Sequence, residues 1–489
     1  MQSASSEKSL TKATIQGTIW AYAATYSGKF LVFISTMVLA RLLSEEDFGV
    51  AGYALVAIGF LEVVQGLGIT AALIYYHDDA ERKDTGFWLI LGFGVILFGI
   101  TWLVSPLAGW FFRDARAVEV TRILGLTFPL SALGDVHNAL LRKELAFGRK
   151  FVPELVRSLG KGIVSIALAL TGFGYWSLII GQLVGTAVSI IAFWRVMPWR
   201  PRFRFNISMA PGLLKYGSGI IAIDAMGMLL LNVDYLLIGR FMTAAALGLY
   251  TMAFRLPELL IKQFSGTVAQ VVFPAYAKMR DDTAVLSRGF LQTMRYVSLI
   301  TVPLGLGLAL TARPFVLVFY SAKWEAAAPV MVAIAIYTLL RSLTFNAGDI
   351  YKAQGRPGLL TKFSIIQAVF LIPGIYWAVT VPASVEIVGW VQTAVAFLGT
   401  TLNFIVAGRI LNTPFRKMAH ALQPAAMGGI ALIIAVMGTR YFTAQTTPLI
   451  QLIASVFSGA IAYIGALLLL QREVVLTAGR TLRTALARR

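Results

Sequence analysis

The chain has 489 residues, 58% of them hydrophobic and only 13% charged, with a formal net charge of +19. A soluble domain of this size would carry about 25% charged residues, so no room is left for a large soluble domain or for a basic domain that could hold nucleic acid. The chain has no cysteine, which removes disulfides and thiolate metal sites.

The start, Met1 to Thr11, is polar and is followed by an apolar run too long for a signal-peptide core and without a small-residue cleavage site, which predicts an uncleaved first helix. Apolar runs of roughly 18 to 25 residues then recur along the whole length, the signature of transmembrane helices. Fourteen are expected, over 13–39, 47–74, 87–111, 118–141, 151–172, 175–197, 212–238, 246–273, 289–311, 327–350, 361–381, 384–408, 420–439 and 449–471. The fold class is therefore an all-α polytopic membrane protein. Several runs exceed what a bilayer needs, so their ends protrude or the helices tilt. Pro129, Pro303 and Pro373 are candidate bending points. Gly181 and Gly185 form a GxxxG pair suited to close helix packing.

Lysine and arginine collect in alternate loops. Twenty-eight fall on the side of the N-terminus, from Lys8 and Lys12 to Arg488 and Arg489 of the tail. Eight fall on the other side: Arg41, Arg113, Arg116, Arg122, Arg240, Arg313, Lys323 and Arg440. The positive-inside rule then places both termini in the cytoplasm. Anionic membrane lipids account for most of this basic excess, and nucleic acid is not an expected partner.

A repeat is visible at an offset of six helices. Residues 41–54 read RLLSEEDFGVAGYA and residues 240–253 read RFMTAAALGLYTMA, matching Arg41 with Arg240, Gly49 with Gly248 and Ala54 with Ala253. It suggests two six-helix bundles, 1–205 and 206–410, with residues 411–489 adding two helices and a basic tail.

Six cations remain inside the apolar runs: Lys29, Arg157, Lys161, Arg255, Lys262 and Arg341. An ionised group near the bilayer centre costs about 2.5–3.5 kcal/mol on insertion scales, and such groups face a bundle interior or a hydrated path. Tyr22, Tyr26, Lys29 and Phe33 share one helix face. Rings that stack on sugar around an ammonium that meets phosphate would suit a sugar-phosphate; packing against a partner helix is the competing reading. Arg157 and Lys161 lie one turn apart, with Glu154 placed to neutralise Arg157 and snorkelling to headgroups as the alternative. Arg255, Glu258 and Lys262 form a second stripe beside Pro257, with Glu258 able to bridge both cations. Among the acids in or at the ends of the runs, Glu62, Asp224 and Asp234 are candidates for carrying a coupling proton or sodium ion, with simple neutralisation of cations across the cavity as the alternative; Asp135, Asp349 and Glu386 also lie there. His137 reads as a hydrogen-bonded interior histidine. No Walker lysine motif, HExxH, GxSxG or Cys/His metal spacing occurs, so neither cofactor nor enzyme chemistry is expected.

Residues 39–68, LARLLSEEDFGVAGYALVAIGFLEVVQGLG, resemble the first loop and second helix of the polysaccharide transporter family, the Wzx-type flippases of the MOP superfamily. GRFMTAAALGLYTMAFRLPELL at 239–260 resembles the start of that family's second half, and YKAQGRPG at 351–358 the loop after its helix 10. The resemblance implies two bundles around a central cationic cavity. It implies export of an undecaprenyl-pyrophosphate-linked oligosaccharide across the bacterial inner membrane by alternating access, with a polysaccharide polymerase or co-polymerase as a further partner. The family has no rigid site motif, so the six cations are assigned from burial and charge. Two rivals are a MATE-like cation or drug antiporter, whose site should be dominated by acids, and a membrane glycosyltransferase or polymerase, which should carry an acidic motif in a sizeable loop.

Overall fold

The computed structural model describes residues 27–65, 68–75, 79–212, Met228 and 232–470; the expected site residues Tyr22, Tyr26 and Asp224 lie outside them. The described secondary structure is helical throughout. In chain order the helices are α1 (27–42), α2 (Glu45–Gln65), α3 (Ile69–Tyr75), α4 (Ala80–Phe112), α5 (Arg116–Leu124), α6 (Thr127–Lys143), α7 (Phe147–Leu170), α8 (Trp176–Val196) and α9 (232–241). They continue with α10 (Ala244–Pro257), α11 (Gln263–Lys278), α12 (Thr283–Phe315), α13 (Ala327–Thr344) and α14 (Ala347–Ala353). The last are α15 (Gly358–Thr380), α16 (Val385–Ile410), α17 (Phe415–Thr443) and α18 (Pro448–Leu470).

Polar caps fix several helix starts. Asp79 accepts from the Glu81 N–H at the start of α4, and Asp282 from the N–H groups of Ala284 and Val285 at the start of α12. Ten of the described helical stretches are long and apolar enough to cross a membrane. α7 is not among them, because Glu154, Arg157 and Lys161 interrupt its apolar stretch. Large apolar side chains point outward along these spans, as at Leu103, Trp110, Phe442 and Leu469. Such a surface is stable only against hydrocarbon.

Pro303 and Pro373 sit inside α12 and α15, which run through them without interruption. Pro129 lies in the first turn of α6, where its missing N–H would be unbonded in any case. The breaks fall elsewhere. The fourth expected run divides at Gly125–Leu126 into α5 and α6, and the tenth at Phe345–Asn346 into α13 and α14. The eighth is one stretch, Ala244–Lys278, in which Pro257 is followed by a π-helical turn over Glu258–Lys262.

The chain divides into two compact units, Met1–Gly248 and Leu249–Arg489. In the first, α3, α4 and α6 enclose a core of Ile69, Leu73, Phe87, Ile90, Val136 and Leu141. The segment after α8 is pinned to this end of α4. Trp88 Nε1 donates to Arg202 O at 2.8 Å, and Asp84 Oδ1 and Thr85 Oγ1 each accept at 3.1 Å, from the N–H groups of Arg202 and Asn206. In the second unit Tyr276, Leu286, Phe290, Met294, Ile350 and Tyr351 belong to one buried core. Here α17 and α18 pack on α12, where Tyr463 Oη donates to Leu299 O at 2.9 Å.

Candidate functional site

In the first unit the charged groups are carried by helices that approach through small residues. α1 meets α7 where Gly28 faces Ser158 and where Ser35 faces Gly162, each at about 3 Å from a Cβ built on the glycine. This places Lys29, half-buried on α1, beside the turn of α7 that carries Arg157. α8 lies still closer to α7. A Cβ on Gly185 would stand 2.7 Å from Arg157 O and 2.9 Å from the Lys161 Cβ, and one on Gly181 would stand 3.0 Å from Lys161 O. The GxxxG pair thus seats α8 on the backbone of the two cationic positions.

Arg157 is exposed, Lys161 half-buried. Glu154 does not neutralise Arg157 as expected: it pairs with Lys150 one turn back, at 3.0 Å. The carboxylates that Arg157 attracts come from two other helices, Glu62 of α2 and Asp135 of α6, which also repel each other. Gln65 Nε2, one turn beyond Glu62, donates to Phe128 O at 3.5 Å and ties α2 to α6. Glu62 therefore lies within electrostatic reach of a cation, as does Asp135, which the sequence placed in a span without a role of its own. A signal was present in the sequence: Gly134-Asp135-Val136 recurs as Gly348-Asp349-Ile350, each on the second limb of a broken span. Asp234, on α9, is buried, with the Tyr235 N–H bonded to its Oδ1 at 3.0 Å. His137 is buried, with Nε2 3.2 Å from Trp199 O and its ring stacked on Trp194 at 5.0 Å, an interior histidine.

In the second unit the π-helical turn reorders the expected stripe. Lys262 Nζ donates to Glu258 Oε1 at 2.9 Å, whereas Arg255 turns toward the buried Tyr320. Arg255 Nε and Tyr320 Oη are both buried without a hydrogen-bond partner. Arg341 is exposed; Nη1 donates to Tyr337 Oη at 2.7 Å and the guanidinium lies 5.6 Å from that ring's centre. Tyr337 meets Phe254 edge-on at 6.0 Å, Phe254 meets Tyr250 at 5.0 Å, and Gln392 Nε2 donates to Tyr250 Oη at 3.4 Å. The grouping of rings around a cation that the sequence suggested near Lys29 is realised here, between α10 and α13. Periodicity within one helix could not reveal it, because the rings and the guanidinium come from two. Tyr250 is buried and Phe254 and Tyr337 are half-buried, while the guanidinium is exposed; a planar cation beside a partly open ring can hold an anionic oxygen next to a sugar face.

The family model described as "Polysaccharide biosynthesis protein" matches residues 38–329. The teichuronic acid biosynthesis protein TuaB of Bacillus subtilis (strain 168) is 28% identical over 466 residues, covering 93% of this chain and 95% of its own. The succinoglycan biosynthesis transport protein ExoT of Rhizobium meliloti (strain 1021) is 25% identical, covering 91% and 90%. The lipopolysaccharide biosynthesis protein WzxC of Escherichia coli (strain K12) is 27% identical, covering 83% and 80%. Among solved structures, the lipid II flippase MurJ in an inward closed conformation matches with a TM-score of 0.74 at 16% identity, covering 94% of this chain and all of its own. An inward-facing multidrug resistance MATE transporter of the MOP superfamily matches with a TM-score of 0.64 at 15% identity, covering 78% and 94%. At these identities the structural likeness establishes the fold.

Proposed function

The chain belongs to the polysaccharide biosynthesis protein family, a multi-pass membrane protein with a MurJ- and MATE-like fold, and from that premise we propose that it is a flippase. Its cargo is an undecaprenyl-pyrophosphate-linked oligosaccharide repeat unit, exported across the bacterial inner membrane by alternating access for exopolysaccharide, capsule or O-antigen synthesis. Fourteen helices thread the membrane as two six-helix bundles, 1–205 and 206–410, with two further helices in 411–489 and both termini cytoplasmic. A polysaccharide polymerase or co-polymerase receives the product.

The physical case begins with the cargo. Each sugar hydroxyl taken through hydrocarbon without a partner costs several kcal/mol, on the order of 2–7. A hydrated path through protein removes that cost while the polyprenyl tail stays in lipid. Lys29, Arg157, Lys161, Arg255, Lys262 and Arg341 hold the pyrophosphate, and aromatic side chains, Tyr22 and Tyr26 among them, meet the sugar. Outward movement of the anion is also downhill in an inside-negative membrane, by about 2.3 kcal/mol per charge per 100 mV. Glu62, Asp224 and Asp234 are candidates to carry a coupling ion.

The observation that carries this reading is Arg341 held against Tyr337 inside an apolar span, since a guanidinium there is costly unless an anion uses it. The MATE likeness in fold favours a second reading, a drug or cation antiporter. That cargo is cationic, and the sign of the six side chains opposes it. The deciding measurement is flipping of defined lipid-linked oligosaccharides in vesicles, with and without ion gradients, for the wild type and Lys29→Ala. Transfer of the glycan that fails in the variant supports the assignment; full activity in Lys29→Ala removes that site, and drug efflux without glycan transfer removes the flippase reading.

A further inference from the structure

The segment after α8, residues 198–208, combines a tightly held backbone with apolar side chains that face outward. Its root is packed. The Trp199 ring meets Phe87 edge-on at 6.0 Å, and its carbonyl lies 3.2 Å from His137 Nε2. Arg202 O accepts from Trp88 Nε1 and, at 2.7 Å, from the Arg204 N–H, which closes a three-residue turn centred on Phe203. Beyond that turn Thr85 Oγ1 holds the Asn206 N–H. Phe203 rests against the Trp88 ring at 4.9 Å yet is 94% exposed, and Ile207 and Phe205 are exposed by 78% and 52%. An isolated exposed apolar residue is ordinary, but a contiguous group of large ones marks a contact surface. The same stretch carries Arg200, Arg202 and Arg204 and no acid. Arg202 and Arg204 are exposed. Asp84 is buried and accepts from the Arg202 N–H, which leaves the guanidinium outside that bond.

We propose that residues 199–207 form a strap that binds an anionic phospholipid. Phe203, Phe205 and Ile207 enter the boundary between headgroups and acyl chains, and Arg202 and Arg204 meet the phosphate. The place of the strap supports a lipid. α4 begins and α6 and α8 end around the core that contains Phe87, Leu141 and Met197, so the strap lies where three membrane-crossing stretches leave the apolar layer. Trp88, Trp194 and Trp199 pack against that same core, and tryptophan favours headgroup depth. Its chemistry supports an anionic one. Apolar groups alone fit any oily surface and arginines alone fit any anion. Interleaved on a fixed backbone, they fit a surface that is oily beneath and negative above. A guanidinium also meets phosphate oxygens through two parallel donors. The strap shares no residue with those assigned to the cargo, and it depends neither on the flippase reading nor on which side the termini lie.

The cysteine-free chain allows a single fluorophore at Ser208→Cys, an exposed position beside the strap, in the full-length protein. The protein is placed in nanodiscs of equal parts phosphatidylglycerol and phosphatidylcholine, with quenching bromines on the upper acyl chain of one lipid or the other. Brominated phosphatidylglycerol should quench more, to an extent that matches roughly fivefold local enrichment, and the preference should fade as salt is raised. Arg202→Gln combined with Arg204→Gln should abolish the preference, and Arg202→Lys with Arg204→Lys should keep most of it. Both side chains are exposed and the bonds that hold the strap use their backbone atoms, so an unchanged Tm is expected for these variants. Phe203→Ser with Ile207→Ser should weaken quenching by both lipids. A second probe at Thr446→Cys should not respond to any of the strap variants. Quenching by neither lipid overturns the proposal and leaves the strap to an acidic protein. Equal quenching by both at low salt, or a preference that survives the glutamine pair, overturns it as well. Loss of the preference on adding millimolar inorganic phosphate at constant ionic strength would replace the lipid with free phosphate.

Discussion

At the scale of single residues, the charges in the spans divide by what surrounds them. Arg341 is exposed, bonded to Tyr337 and stacked on it. Its replacement by alanine is expected to lower the initial rate of glycan flipping by roughly tenfold or more, equivalent to about 1.4 kcal/mol or more in the barrier. Arg341→Lys should recover only part of the rate, since an ammonium lacks the planar fork; protein-normalised flipping rates check both. Outside the spans, Arg116 donates to Asp114 through Nε and Nη2 and to Glu46 at 2.6 Å. The Arg116 side-chain hydrogen bonds to Asp114, aided by the Arg116 N–H, hold that carboxyl below the usual carboxylate range. A carboxylate with a depressed folded-state pKa stabilises the fold above its unfolded value, and that contribution fades as pH falls toward the folded one. Wild-type Tm should therefore fall more steeply than that of Asp114→Asn below about pH 4, as read by thermal melts across pH.

At the scale of elements, glycines permit close helix approaches. The repeat pairs Gly49 with Gly248, and in the first unit these two meet: a Cβ on Gly49 would overlap Ala244 O, and one on Gly248 would overlap Glu45 O. Neither atom is the flexible end of a side chain, so the helices themselves would have to move. Gly49→Leu is expected to destabilise strongly, by about 3 kcal/mol or more given the 1–3 typical of overpacking alone, and to reduce the yield of folded protein on size-exclusion chromatography. Gly185→Leu should separate α7 from α8 and displace Arg157 and Lys161, so flipping should be lost before solubility is. Tyr463→Phe removes the hydrogen bond to Leu299 O and should cost about 1 kcal/mol, a small fall in Tm with transport retained.

At the scale of the whole molecule, the cysteine-free sequence offers a direct test of threading. Arg416, in the first turn of α17, and Thr446, just beyond its last residue, are exposed. If the basic loops are cytoplasmic, a membrane-impermeant maleimide added to intact cells should label Thr446→Cys and spare Arg416→Cys until the membrane is opened. Labelling in the reverse pattern would overturn the orientation.

The membrane class, the order of the apolar spans and the sign of the charges within them were legible in the residues, because hydropathy and charge placement are local properties that a bilayer reads along the chain. The close seating of Gly181 and Gly185 was legible for the same reason, since small residues at helical spacing permit approach whatever the partner. The breaks at Gly125–Leu126 and Phe345–Asn346 were not, because prolines drew attention to α12 and α15, whose helices continue through them. Only tertiary structure decided which charges act on one another: Glu154 pairs with Lys150 rather than Arg157, Arg157 acts electrostatically on Glu62 and Asp135, and Arg341 lies against a ring cluster from two helices. Electrostatic pairing falls off over a few ångströms, and those distances are set by how helices far apart in sequence pack.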